Sequence, residues 1–198
     1  MKICFLDNSP IPYTTNDLNS KLIRGGESAI IHLSNELSKL GNEVKVFNNN
    51  KNDCIIDNVK WFNLSNTHKN SVYDVAFTNN DIRLFDTIIA KKYVAFSHSI
   101  QTLEKFIRKG QLLSYLKYKP KIVILGNYHS KNRNYLLKLF GTINLEWAVD
   151  PLFLKTELNE NLIENRALFT SRRDRNLDIL IELWKEDIFP KNNSIKLY

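Results

Sequence analysis

Residues 24–47 read RGGESAIIHLSNELSKLGNEVKVF, and their interpretation decides the fold. Ile30, Leu33, Leu37 and Leu40 recur at helical spacing, and Gly41 stands where a helix is stopped. Val44 and Val46 then alternate with charged residues, as in a half-buried strand. Upstream, KICFL (2–6) is a short apolar run suited to a strand buried on both faces. The connection from Asp7 to Arg24 is polar, holds Pro10 and Pro12, and is long for a strand-to-helix loop, which marks it as a candidate functional segment. Strand, loop, helix and strand in this order begin a parallel α/β sheet.

The pattern continues along the chain. VKWFNL (59–64) and YDVAFT (73–78) read as strands, DTIIAKK (86–92) as a short helix, and YVAFSHS (93–99) as a strand. A long amphipathic helix is predicted over 100–118, with Pro120 at its end. KIVILGN (121–127) reads as a strand, SKNRNYLLKLF (130–140) as a helix closed by Gly141, and INLEWAV (143–149) as a further strand. KTELNENLIENR (155–166) lacks apolar periodicity and reads as a linker. ALFTS then reads as a strand, RRDRN as a basic turn, and LDILIELW as a helix with Leu177, Leu180, Ile181 and Trp184 on one face. SIKLY reads as the next strand, at which the chain stops. The expectation is an α/β domain with a parallel sheet flanked by helices over 1–154, a linker over 155–166, and the first βαβ part of a second domain over 167–198.

The 198 residues are 43% hydrophobic and 25% charged, as in an ordinary soluble protein with a buried core. No apolar run is long enough to cross a bilayer, and MKICFLDNSP turns polar too soon for a secretory signal, so a cytoplasmic location is expected. Cys4 and Cys54 show neither metal spacing nor a disulfide framework, and Cys4 reads as a buried thiol. No metal site and no cofactor are expected. The net charge of +7 directs attention to nucleic acid or an anionic membrane. Lys and Asn are spread over the whole chain and no nucleic-acid recognition module is present, so specific nucleic-acid binding is not expected. LEKFIRKGQLLSYLKYK (103–119) sets Lys105, Arg108, Lys109, Lys117 and Lys119 beside Phe106, Ile107, Leu112, Leu113 and Leu116. Such a segment covers a sheet or rests peripherally on an anionic membrane.

Three features fall where ligands gather in a parallel sheet, beyond the carboxyl ends of the strands. Gly25 and Gly26 begin the first helix, where they either permit a turn or let backbone N–H groups approach an anion. They come too late after the first strand for a dinucleotide fingerprint, and Phe47-Asn48-Asn49 offers no carboxylate for a ribose. His98, between Ser97 and Ser99, is a loop histidine or a ligand contact; His129 is a second strand-end imidazole, while His32 and His68 read as structural. Arg172, Arg173 and Arg175 crowd one turn, where guanidinium forks match phosphate oxygens. Ser171 and Asp174 have capping-box spacing, which accounts for part of that turn but not for three arginines.

In order and spacing these pieces resemble the retaining glycosyltransferases of the GT-B fold, group 1 or family 4 type. GGES, with Glu27, is similar to the family's Gly-Gly-x-Glu, and AFSHS to its strand-end histidine segment. WAVDPLFL (147–154) is close to Gly-Val-Asp-x-x-x-Phe with Ala148 in place of the glycine, and ALFTSRRDRNLDILIELW resembles the opening of the second domain. The resemblance implies a Rossmann-like acceptor-side domain that transfers a hexose from a nucleotide-sugar to a glycan or lipid-linked acceptor, most commonly in cell-surface polysaccharide or lipopolysaccharide assembly. It implies that Gly25, Gly26 and Glu27 lie near the donor phosphates and that His98 stands at the acceptor or the reacting sugar. Arg175 takes the place of the family's Lys, Asn176 that of the following Gly, and Arg172 or Arg173 that of the partner Arg. The family's Glu-x7-Glu donor motif does not occur before Tyr198. By that comparison the chain alone binds donor weakly and works with a separate C-terminal half. The alternative is a non-catalytic α/β module that retains a sugar- or phosphate-binding cleft.

Overall fold

The computed structural model describes residues 1–18, 23–67, 70–98, 102–146, 148, 166–171 and 175–198. The chain divides into two compact units, Met1–Ala148 and Val149–Tyr198, a division that falls earlier than the boundary after residue 154 read from sequence.

In the first unit β1 (Lys2–Leu6), α1 (Gly25–Lys39) and β2 (Glu43–Asn48) form as the sequence indicates. Gly41 lies at φ +80°, and the Gly41 and Asn42 N–H groups donate to Ser38 and Leu37, closing α1 in a Schellman turn. Its buried stripe runs through Glu27, Ile30, Ile31 and Ser34, while Leu40 lies past the last turn and is 77% exposed. β3 (Cys54–Ile56) and β4 (Val59–Asn63) form an antiparallel hairpin whose turn residues Asp57 and Asn58 both have positive φ. β5 (Val72–Asn79) and β6 (Ile89–Phe96) follow.

Three predicted helices are corrected. Residues 86–92 are not one helix: a 3-10 segment, Ile82–Thr87, takes in the first two, and Ile89 already pairs with Val72. β-Branched Ile88 and Ile89 favour the strand. The helix predicted over 100–118 is two, α2 (Leu103–Arg108) and α3 (Leu112–Tyr118). Gly110, at φ +64°, ends α2 in a second Schellman turn. The helix predicted over 130–140 is also divided, after β7 (Lys121–Ile124), into α4 (Asn127–Asn132) and a 3-10 turn, Tyr135–Lys138. Arg133 is extended between them, and Asn134 caps the second piece by accepting from Leu136 N–H. β8 (Thr142–Asn144) completes the sheet.

The strand order is β3-β4-β2-β1-β5-β6-β7-β8, parallel throughout except for β3. Order grows outward from β1 in both directions, so right-handed connections send α1 to one face and the 3-10 segment Ile82–Thr87, α2 and α3 to the other. Alternation in β1 serves both: Ile3 and Phe5 pack with Ile30, Ile31 and Trp61, whereas Cys4 and Leu6 pack with Phe85, Phe106 and Tyr115. Cys4 is fully buried, and burial pushes its thiol far above the ordinary range. This α/β sheet with helices on both faces is compatible with a Rossmann-like fold. Among the described residues, no helix is long and apolar enough to cross a membrane.

In the second unit β9 (Arg166–Ala167) and β10 (Lys196–Leu197) pair in parallel, and α5 (Leu177–Leu183) runs on into a π turn, Trp184–Ile188. Of the linker predicted over 155–166, residues 155–165 lie outside the described residues, and Arg166 is already paired in β9.

Candidate functional site

The strand order reverses between β1 and β5, and the loops leaving their carboxyl ends diverge, which creates a crevice at a fixed place in such sheets. Asp7-Asn8-Ser9 leaves β1, Asn79-Asn80-Asp81 leaves β5, and Ser97-His98 leaves β6. The first turn of α1 returns to the same place. A Cβ at Gly26 would lie 3.2 Å from His98 Nε2 and 3.4 Å from Asn79 Nδ2, whereas one at Gly25 meets nothing within 4 Å. Gly26 therefore satisfies a requirement for close approach, and Gly25 does not.

The described part of the long loop after β1 contains one 3-10 turn, Thr15–Asp17, and is otherwise held by side chains. Asp7 Oδ2 accepts from the Tyr13 hydroxyl at 2.7 Å, and Oδ1 accepts from Ser9 N–H and from Asn79 Nδ2 at 3.3 Å. Ser9 Oγ donates to Glu27 Oε1 at 2.5 Å, tying the loop to α1. Asn48 and Asn49, at the end of β2, donate to the carbonyls of Tyr13 and Ser9. Glu27 is only 5% exposed, so this predicted binding residue acts beside the crevice as an anchor for the loop.

Charge in the site is set by burial. Burial pushes the Asp7 carboxyl above the usual aspartate range, and the Glu27 carboxylate adds to this against the hydrogen bonds from Tyr13, Ser9 and Asn79. Burial also lowers the basicity of half-buried His98; Glu27 opposes that shift and His129 reinforces it. The result is a neutral imidazole beside a glycine-lined helix start, with an amide and two carboxylates behind it. Such groups can orient sugar hydroxyls and exchange a proton near neutrality.

His98 and Gly26 are thus brought together as the sequence suggests. Arg172 and Arg173 lie outside the described residues. Arg175 is an exposed residue of the second unit, and Asn176 after it takes the left-handed conformation, φ +62°. Asp7, Ser9, Tyr13 and Asn79 were not among the residues singled out from sequence. Asp7, Ser9 and Tyr13 lie in the Asp7–Arg24 loop marked as a candidate functional segment, and Asn79 ends β5; that they meet is readable only once β1 and β5 are known to be neighbours. Among the described residues no group of three or more His, Cys, Asp or Glu side chains is placed to hold a metal ion. No protein-family model, curated protein or solved structure matches the chain.

Proposed function

We propose that the chain is the acceptor-side domain, with the start of the donor-side domain, of a retaining GT-B glycosyltransferase that uses a nucleotide-sugar. The observation that carries this reading is the close packing of Gly26 on His98 and Asn79 at the point where the sheet order reverses. Asn176 adds support: it stands in the glycine position of the resemblance and adopts the backbone conformation that glycine favours. In this reading the backbone N–H groups at Gly25 and Gly26 approach the donor phosphates. His98 orients the acceptor or the reacting sugar.

Buried Asp7 and Glu27 favour a second reading, a non-catalytic module for a neutral glycan, because carboxylates pair with hydroxyls and repel phosphate. Titration with UDP-, GDP- and ADP-sugars in the presence of a complementing C-terminal half, with and without an acceptor extract, separates the two. Saturable donor binding that Gly26→Val weakens, with transfer lost in the Arg172→Ala, Arg175→Ala double variant, supports the transferase. Glycan binding without any response to donors supports the module.

An anionic membrane surface is the partner proposed for α2 and α3. Ile107, Leu113 (81% exposed) and Leu116 present apolar area among Arg108, Lys109 and Lys117. Co-sedimentation with vesicles containing phosphatidylglycerol, reduced by Leu113→Glu and absent with neutral vesicles, is the expected result.

A further inference from the structure

Arg133 is 3% exposed, yet its guanidinium meets no carboxylate among the described residues. One nitrogen, Nη1, donates to the Val123 carbonyl at 3.2 Å, while Nε and Nη2 are buried with no hydrogen-bond partner among the described residues. A guanidinium remains charged in proteins, and burying it unpaired is costly, so it calls for a counter-charge.

Backbone geometry gives its location. Ile122 N–H donates to Gly141 and the Ile124 carbonyl accepts from Leu145, so both residues address β8. Val123, between them, addresses β6. The β6–β7 pairing runs through Val94–Lys121 and Ala95–Ile122 and ends there. The carbonyl that Arg133 takes therefore lies where β6 and β7 part, at their carboxyl ends. His129, one helical turn before Arg133, lies within its electrostatic reach and within reach of His98. Its Nδ1 is likewise buried with no partner among the described residues, and α4, which carries it, buries none of its own residues.

We propose that Arg133 and His129 form a receptor for a phosphate-type oxyanion at the diverging ends of β6 and β7. The guanidinium fork supplies two N–H donors, which suits the paired oxygens of a phosphate or phosphomonoester. The inference goes beyond the transferase reading, since it needs neither donor nor reaction.

The full chain is titrated with inorganic phosphate, with glycerol 3-phosphate, and with chloride at matched ionic strength. Thermal unfolding and the histidine ring-proton resonances are recorded. The expected result is a saturable rise in Tm and a shift of the His129 resonance with phosphate or the ester, but not with chloride. The tighter of the two ligands shows whether the anion is free or carried on an organic group. Arg133→Met, freed of an unpaired charge, is expected to be at least as stable as the parent and to lose the phosphate response. Should Arg133→Met not fold, Arg133→Lys decides: it keeps the charge without the fork, and affinity is expected to fall by about tenfold or more. A parent chain that responds to neither phosphate nor ester, a His129 resonance that stays still, or an Arg133 variant with parental affinity overturns the proposal. None of these readouts involves a nucleotide-sugar, so failure here is distinct from failure of the transferase reading.

Discussion

The Tyr13 hydroxyl donates to Asp7 Oδ2 at 2.7 Å with both side chains buried, and this bond fixes the loop that forms one wall of the crevice. Tyr13→Phe removes the donor and leaves a buried carboxylate oxygen without it. A hydrogen bond to a charged group is worth about 1.5–3 kcal/mol, and urea unfolding is expected to show a loss of that order.

Asp7 also gives a pH signature. Its carboxyl titrates above the usual aspartate value because burial disfavours the charged form, so the folded state holds a proton that the unfolded state has lost. Its contribution is therefore most favourable in acid and declines as pH rises from about 4, the ordinary aspartate value, through the raised folded value. Asp7→Asn is expected to gain stability relative to the parent as pH rises through that window, with the difference fading in acid. A pH-independent difference between the two unfolding curves would contradict the assignment.

The adjacent glycines are expected to behave oppositely. Gly25→Ala adds a methyl where nothing lies within 4 Å and restricts the unfolded chain, which gives about 0.4–1 kcal/mol of added stability. Gly26→Ala places the same methyl 3.2 Å from His98 Nε2, so the gain is offset and His98 must shift. Urea midpoints and the His98 ring resonance of both variants check this.

His98 titrates below the ordinary histidine value through burial, with Glu27 opposing and His129 adding to the shift. The unfolded state then takes up a proton first as pH falls, and stability declines from about pH 6.5 downward. His98→Gln is expected to flatten part of that decline in Tm measured between pH 5 and 8, while leaving Tm above pH 7.5 little changed.

Asp86 accepts from Lys117 at 2.6 Å, Tyr118 at 2.7 Å and Ser114 at 3.3 Å, and so joins α3 to the 3-10 segment before β6. Lys117 foremost holds its carboxyl below the usual range. The stabilisation is present above the ordinary aspartate value and lost as pH falls through the lowered folded value. Asp86 is partly exposed and the ion pair is screened, so Asp86→Ala is expected to cost only about 1 kcal/mol at pH 7 and less in acid.

Much of this architecture was legible from local chemistry. The apolar run of β1, the helical span of α1 and the Gly41 stop each depend on neighbours within one or two turns, and they form as read, although the buried face of α1 centres on Ile30, Ile31 and Ser34 and leaves Leu40 exposed. The helix errors share one cause. Gly110, Arg133 and Ile88–Ile89 interrupt or oppose helix at single positions, and amphipathic spacing continued past them. The Asp57-Asn58 hairpin carried a usable turn signal that went unread.

The site divides along the same line. Gly26 and His98 stand out in the sequence because of their residue types and their places at a helix start and a strand end. Asp7, Tyr13, Asn79 and Arg133 acquire their roles from strands far apart in the chain becoming neighbours. Residue order alone dictates periodicity, turns and caps, because these arise from interactions a few residues apart. Which strand lies beside β1, and which buried charge is left without a partner, depend on how two faces of one sheet are covered at once, and that emerges only when the whole chain packs.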